Sequence, residues 1–319
     1  MSNVQLHLLS GGLSGFASTI CLQPFDLIKT RLQQGDGAIR HRYLIRIAVV
    51  SLLKRHFYSR HTSVILQTTK EVVSTHGLQG LWRGTSATLI RNVPGVALYM
   101  TSLTQLRIFM ATSPYFSRIR TPSDDRSRNA SVLPKLSSQG NLIAGATARV
   151  GVGFLLNPFS VLKARFESNI YAYESIAQAL SSIIRQGPSE LFRGFFASSL
   201  RDAPYAGLFV VFYEGIKREA SLVAPSSSSS HSAAIHSGSA ALAGAMSTIL
   251  THPFDVIKTK IQVRSEDRYH GFVRTVVTIW QQRGVSGYFD GASLRLTRKV
   301  FSSAIAWAVY EGVLLFMRP

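Results

Sequence analysis

Two aspartate–lysine pairs, and a third lysine whose acid is missing, occupy the same place in three similar segments of the chain. The segments are Gln23-Pro24-Phe25-Asp26-Leu27-Ile28-Lys29-Thr30-Arg31, Asn157-Pro158-Phe159-Ser160-Val161-Leu162-Lys163-Ala164-Arg165 and His252-Pro253-Phe254-Asp255-Val256-Ile257-Lys258-Thr259-Lys260. An acid and a base three residues apart share one face of a helix. A proline inside a helix removes a backbone hydrogen bond and bends it, so three such helices can draw their ends together. In a threefold ring the charges then pair between neighbours, Asp26 with Lys163 and Asp255 with Lys29. Such a ring closes one end of a cavity and breaks when that end opens. Ser160 replaces the third acid, so Lys258 is expected to lack a full partner and the ring to be weaker on that side.

A second set of charges follows. Each segment is succeeded by a Gly, then an aromatic residue and a second Gly: Gly77 with Trp82-Arg83-Gly84, Gly187 with Phe192-Arg193-Gly194, and Gly284 with Phe289-Asp290-Gly291. An arginine stands seven residues after each last Gly, at Arg91, Arg201 and Arg298; Asp202 adjoins Arg201. These charges fall inside apolar stretches. Charge in hydrocarbon is costly, so they should face a bundle interior or a water-filled cavity. Small residues recur at four-residue steps (Gly11, Gly15, Thr19; Gly145, Gly153; Ala240, Gly244, Thr248), which lets helices approach closely in lipid. Arg149 interrupts this pattern where the other repeats carry Gly15 and Gly244. It is a candidate for a cavity role, or for a snorkelling or structural pair.

Enzymatic chemistry is not indicated. No nucleophile–base pair and no metal-ligand spacing stands out, the nine histidines are scattered, and Cys21 is the only cysteine. No disulfide can form within the chain and no cofactor is expected; Cys21 reads as a packed apolar helix residue.

The elements that carry these residues form three repeats. From Pro to last Gly the spacing is 36 residues in repeat two (158 to 194), 38 in repeat three (253 to 291) and 60 in repeat one (24 to 84). Repeat one therefore holds an insert at about 35–61, with six Lys/Arg, three His and the single acid Asp36. It is read as disordered or spurious, or as a basic lipid-facing loop. The expected organisation is repeat one over 1–110, a Ser/Arg/Pro-rich linker over 111–138, repeat two over 139–220, a Ser-rich linker over 221–236 and repeat three over 237–319. Each repeat contributes two segments, giving 5–34, 85–109, 139–168, 196–219, 237–263 and 292–316, all long enough to cross a bilayer. The fold class expected is an all-α membrane protein with threefold pseudo-symmetry around a central cavity.

Composition supports this. Apolar residues make up 46% of the 319, yet 35 Lys+Arg against 16 Asp+Glu give a net charge of +19. A basic balance implies an anionic contact: nucleic acid, lipid surface or solute. Many of the basic residues lie inside apolar stretches, which favours the membrane over nucleic acid. No Lys or Arg precedes Lys29, so an organellar address is expected within the mature sequence.

The triplicated Pro-x-Asp-x-x-Lys-x-Arg motif, with its Gly-aromatic-basic-Gly sequel, resembles the mitochondrial carrier family over nearly the whole chain. The resemblance implies six transmembrane helices, short matrix-side helices, both termini in the intermembrane space, and alternating access between two salt-bridge gates. The matrix gate maps to Asp26, Lys29, Lys163, Asp255 and Lys258, with glutamine braces at Gln33 and Gln262 and Glu167 in the equivalent place. The cytoplasmic gate maps to Arg107, Glu214, Lys217 and Glu311, where Glu311 with Arg107 is the one complete pair. Cardiolipin is implied near Trp82-Arg83-Gly84 and Phe192-Arg193-Gly194, at helix N-termini; Asp290 counts against a third such site. The family's substrate contacts map to Arg91, Arg201-Asp202 and Arg298. An adjacent base and acid resembles amino-acid carriers, since a zwitterion needs a cation for its carboxylate and an anion for its ammonium; the alternative is that Asp202 only neutralises Arg201. The phrases Arg165-Phe166-Glu167-Ser168, Leu200-Arg201-Asp202-Ala203-Pro204-Tyr205 and Ala306-Trp307-Ala308-Val309-Tyr310-Glu311 resemble the branch of the family that carries glycine. That implies an inner-membrane monomer supplying the matrix with glycine for haem synthesis. Another small amino acid, or a carrier fold that does not transport, remains open.

Overall fold

The computed structural model describes residues 3–35, 60–113, 138–223 and 229–317. Among them eleven α-helices occur and no strand: α1 (Asn3–Gln34), α2 (Arg60–His76), α3 (Thr85–Thr112), α4 (Ser138–Leu155), α5 (Asn157–Glu167), α6 (Ile176–Gln186), α7 (Phe195–Val223), α8 (Ser229–Leu250), α9 (His252–Val263), α10 (Phe272–Arg283) and α11 (Ala292–Met317). The insert expected at 35–61 and the linker expected at 111–138 fall almost wholly outside the described residues; the Ser-rich linker expected at 221–236 is instead largely helical, with α7 running on to Val223 and α8 starting at Ser229.

The three prolines behave differently. The chain breaks at Leu156 and Thr251, so Pro158 and Pro253 open new helices, α5 and α9; proline suits a first turn, where its missing N–H costs nothing. Pro24 instead lies inside an unbroken α1. It leaves the Ile20 carbonyl without its i+4 donor, and Trp82 Nε1 donates to that carbonyl at 2.9 Å. The residues equivalent to Trp82 are Phe192 and Phe289, whose rings have no donor. A kink at each proline was expected; in repeat one the indole repairs the ladder and the helix runs on.

Among the described residues no single helix is long and apolar enough to cross a membrane. The pairs 139–155 with 157–167 and 238–250 with 252–263, each bent at its break, pass together. The other segments have the expected length but carry charges such as Arg91, Arg201, Asp202 and Arg298 that lower their hydropathy.

The chain divides into two compact units. The first holds residues 1–93, 158–194 and 252–319. In it α1 packs along α11 and beside α9. One apolar cluster joins Leu27, Ile28, Val72 and Leu294 of α1, α2 and α11. Another joins Ala87, Val161, Leu162, Phe166, Ala179 and Ile183 of α3, α5 and α6. Helix α6 starts at Ser175, whose hydroxyl accepts from Gln178 N, and it buries Ala179 and Ile183, one turn apart. Cys21, expected to be packed, is exposed on α1.

The second unit holds residues 94–157 and 195–251. Here α7 packs between α4 and α8. A Cβ at Gly207 would lie 3.7 Å from Leu142, and the rings of Phe154 and Phe195 meet edge to face at 5.3 Å. As the number rises on α4 it falls equally on α7, so the two helices run antiparallel in a fixed register.

Candidate functional site

The charges of the Pro segments converge in the first unit. Lys163 Nζ lies 2.7 Å from Asp26 Oδ2, and Lys29 Nζ lies 2.5 Å from Asp255 Oδ2. These pairs are largely shielded from water; the Asp255 side chain is only 2% exposed. Taking charges out of water is expensive, so such a pair is stable only when its remaining hydrogen-bond capacity is filled. Gln33 Nε2 fills part of it, donating to Asp255 Oδ2 at 3.2 Å.

Repeat two supplies an acid after all. Lys163 also approaches Glu167 Oε1 at 3.5 Å, one turn along α5. Glu167 accepts from Thr30 Oγ1 at 2.7 Å and from Gln23 Nε2 at 3.1 Å. Glu167 stands about two helical turns beyond Ser160 and adds a second carboxylate at Lys163, which already holds Asp26. Lys258 is buried at 7% exposure and is engaged with other groups.

Arg298 sits in this cluster. Its guanidinium forms an ion pair with Asp26, so Asp26 lies between the cations of α5 and α11. The sequence placed Arg298 only by its distance from Gly291, which gives no hint of this partner.

A second pattern links the repeats through the carbonyl that precedes each last Gly. Gln23 Nε2 donates to the Arg83 carbonyl at 3.1 Å. Gln262 Nε2 donates to the Arg193 carbonyl at 3.3 Å. The Asp290 carbonyl takes two donors, Gln33 Nε2 at 3.4 Å and His252 Nε2 at 3.0 Å. Glu167 has no N–H to give, and Gln23 stands in for it, holding the carbonyl and the carboxylate with one amide. Sequence reasoning missed Gln23 and His252. The signal was available, because the residue before each Pro is polar in all three repeats. The following Gly must let the brace in: Gly194 adopts φ 72°, and a Cβ there would lie 2.9 Å from Gln262 Cγ.

The basic residues of the aromatic-basic-Gly signatures are tied inward. Arg83 Nη2 donates to the Tyr171 carbonyl at 2.9 Å. Arg193 binds Glu190 and, at 2.9 Å, the Arg264 carbonyl. Glu190 also meets Arg165 at 2.5 Å. Burial pushes the Glu190 carboxyl up, but the hydrogen bonds and charges of Arg193 and Arg165 outweigh it and hold it below its ordinary value. Asp290, in the third signature, pairs with Arg283 at 2.9 Å.

The remaining residues divide between the units. Arg91, in the first, donates to Asn92 Oδ1 at 3.3 Å, and Asn92 in turn donates to Thr19. In the second, Arg201 Nε and Nη2 meet the two Asp202 carboxylate oxygens at 2.8 and 2.9 Å. The pair is half-buried on α7, flanked by Pro204. Arg149 lies 4.2 Å above the Tyr99 ring, a cation–π contact. Lys217 is 6.0 Å from the Tyr213 ring, and Glu214 is exposed nearby. Arg107 is half-buried on α3; its expected partner Glu311 has a side chain outside the described residues. Among the described residues no cluster of His, Cys, Asp or Glu could hold a metal ion.

Such a triplicated arrangement has a known counterpart. The sequence model of the family described as Mitochondrial carrier protein matches residues 2–114, 134–221 and 229–318. The chain belongs to the mitochondrial carrier family. Among curated members, the mitochondrial glycine transporter of Laccaria bicolor is 67% identical over 321 aligned residues, covering 100% of this chain and 99% of the relative. The mitochondrial glycine transporters of Mycosarcoma maydis and Aspergillus fumigatus are 42% and 41% identical, covering 95% and 98% of this chain and 82% and 93% of their own.

Proposed function

We propose that this carrier moves glycine across the mitochondrial inner membrane into the matrix, where it feeds haem synthesis. The single observation that carries the reading is the Arg201–Asp202 pair, a cation and an anion side by side within an apolar helix. Glycine at neutral pH presents the complementary charges. Its carboxylate takes the Arg201 fork and its ammonium takes Asp202, and the exchange of one paired state for another avoids leaving either charge bare in the membrane. The names of the relatives point to the same cargo.

In this reading the repeats form six membrane-crossing segments around a central cavity, and the protein works as a monomer by alternating access. Asp26, Lys29, Lys163, Asp255 and Lys258, braced by Gln33 and Gln262, close the matrix side. Arg107, Glu214, Lys217 and Glu311 close the cytoplasmic side. Arg149 adds positive charge on α4. Arg91 and Arg298 act on the carboxylate at other stages of its passage, Arg298 once its contact with Asp26 parts. Cardiolipin docks at the helix starts that follow Trp82-Arg83-Gly84 and Phe192-Arg193-Gly194.

The test is uptake of labelled glycine by proteoliposomes holding the purified protein, with unlabelled amino acids as competitors. Saturable uptake displaced best by glycine supports the proposal. Uptake displaced better by another amino acid assigns a different cargo, and no flux of any solute contradicts transport.

A further inference from the structure

The register of α4 against α7 places a side-chain pair at the height of Arg201–Asp202. Leu142 faces Gly207 at one end of the contact, and Phe154 faces Phe195 at the other. Counting inward from either contact along antiparallel helices puts Arg149 level with Leu200, one residue from Arg201. Leu142, Gly145 and Arg149 also fall on one stripe of α4, at i, i+3 and i+7. So Arg149 shares the face that Leu142 turns toward α7.

On that stripe Arg149 covers the Tyr99 ring at 4.2 Å. Gly145, one turn below, admits the other end of the same residue: a Cβ there would stand 3.8 Å from the Tyr99 hydroxyl. Tyr99 is thus capped by Arg149 over its ring and has room for its hydroxyl beside Gly145. Repeats one and three have no such filling. At the positions equivalent to Arg149, a Cβ on Gly15 meets nothing within 4 Å, and one on Gly244 meets only the ordinary contacts of Phe209 and Tyr205 at 3.8 and 3.9 Å. Bulk appears only in repeat two, level with the zwitterion pair.

We infer that the Tyr99–Arg149 pair sets the size limit on the cargo's side chain, leaving room at the α-carbon for hydrogen and little more. This rests on the reading of Arg201–Asp202 as the amino-acid site and adds the residue that selects among amino acids. Arg149 is exposed, and a charge exposed to hydrocarbon is too costly to keep, so its exposed side faces the transport path. The cation–π contact ties the ring to Arg149 of α4, and a tethered ring can refuse a methyl group in a way that a mobile one cannot. Discrimination over one methyl group in a close-fitting site is on the order of 10- to 200-fold.

The experiment compares uptake of labelled glycine, alanine and serine by proteoliposomes holding wild type, Tyr99→Phe, Tyr99→Leu or Tyr99→Ala, with folding checked by thermal unfolding in detergent. Wild type should favour glycine over alanine within the range above. Tyr99→Phe keeps the preference, since the ring remains. In Tyr99→Ala the alanine-to-glycine ratio rises toward parity, and in Tyr99→Leu it rises part of the way; Tyr99→Leu decides the matter should Tyr99→Ala fail to fold. An unchanged ratio in the folded variants, with normal glycine uptake by wild type, overturns this inference alone. No glycine uptake by wild type overturns the cargo reading, and the inference with it.

Discussion

Gln23 of α1 and Glu167 of α5 are joined by a hydrogen bond of 3.1 Å. The same Gln23 amide holds the Arg83 carbonyl, also at 3.1 Å. In the other two repeats a glutamine at the position of Glu167 reaches such a carbonyl itself. The glutamate is therefore tolerated because a second amide does its bracing, and it is useful because its charge gives Lys163 a second acid beside Asp26.

Glu167→Ala takes an acceptor from Lys163, Thr30 and Gln23 at once, while Lys163 keeps Asp26 and Gln23 keeps the Arg83 carbonyl. Breaking a buried pair outright costs about 3–5 kcal/mol; with those partners retained the loss should lie at the low end of that range, and the melting temperature in detergent should fall accordingly. Glu167→Gln keeps the neutral bonds and should lose less, about 1.5–3 kcal/mol for the charge-assisted contact alone. Equal losses would show that Lys163 draws nothing from this carboxylate.

The Lys29–Asp255 pair gives a sharper case. Asp255→Asn leaves Lys29 buried beside a neutral amide and should destabilise the carrier by about 3–5 kcal/mol. The double exchange, Lys29→Asp with Asp255→Lys, restores opposite charges across the same gap and should recover part of the loss. If the double variant melts no higher than the single one, the pair is not a unit.

The chain displayed its repeats and the pairs Asp26–Lys163 and Asp255–Lys29 openly, because proline motifs and acid–base spacing are local signals. Most segment ends came within a few residues for the same reason, although α8 starts at Ser229 and not at the expected 237. Three features were hidden. Trp82 repairs the Ile20 carbonyl across 62 residues of sequence; one indole among three aromatics is visible, but its target is not. Arg298 reaches Asp26 from another repeat, and nothing in seven-residue counting shows where a side chain that long will end. Glu167 looked like a departure from its repeat and turned out to be a second acid on Lys163, held by Gln23 and Thr30. Contacts between repeats depend on how helices turn against each other, which periodicity within one helix does not encode.

Trp82 yields a direct test of the first of these. Trp82→Phe removes the donor to Ile20 and gives repeat one the ring found in the other two. The hydrogen bond is worth about 0.5–1.5 kcal/mol, so a small drop in melting temperature is expected. Amide exchange should quicken around Ile20–Pro24 and nowhere else in α1. Uniform exchange along α1 would mean that the indole does not secure the Ile20 carbonyl.

The brace glycines should rank by room. Gly194→Ala forces φ 72° on a residue with a side chain and brings its Cβ to 2.9 Å from Gln262 Cγ; Gly84→Ala meets Glu167 Cγ at 3.2 Å. Left-handed backbone alone costs about 1–2 kcal/mol, and the steric conflict adds to it. Thermal unfolding should place Gly194→Ala below Gly84→Ala, and the reverse order would contradict the packing described.

Acid stability has a predictable sign at Glu190. Its folded-state value lies below the ordinary 4.5. A carboxylate depressed in this way adds stability above its unfolded value, and that contribution disappears as the pH falls through the folded value. Wild type should therefore lose melting temperature more steeply than Glu190→Gln on acidification below about pH 4.5, and match or exceed that variant's stability above it. Parallel curves would mean that Arg165 and Arg193 do not hold this carboxyl in solution.

The central claim is that Asp202 receives the ammonium of the cargo. The measurement is glycine uptake by proteoliposomes holding Asp202→Asn or Asp202→Glu, each shown to be folded by its unfolding temperature. Asp202→Asn keeps the shape and removes the charge, and uptake should fall on the order of 10- to 100-fold, as expected for one charge-assisted hydrogen bond; Asp202→Glu should keep a measurable part of it. Wild-type uptake by folded Asp202→Asn would contradict the account.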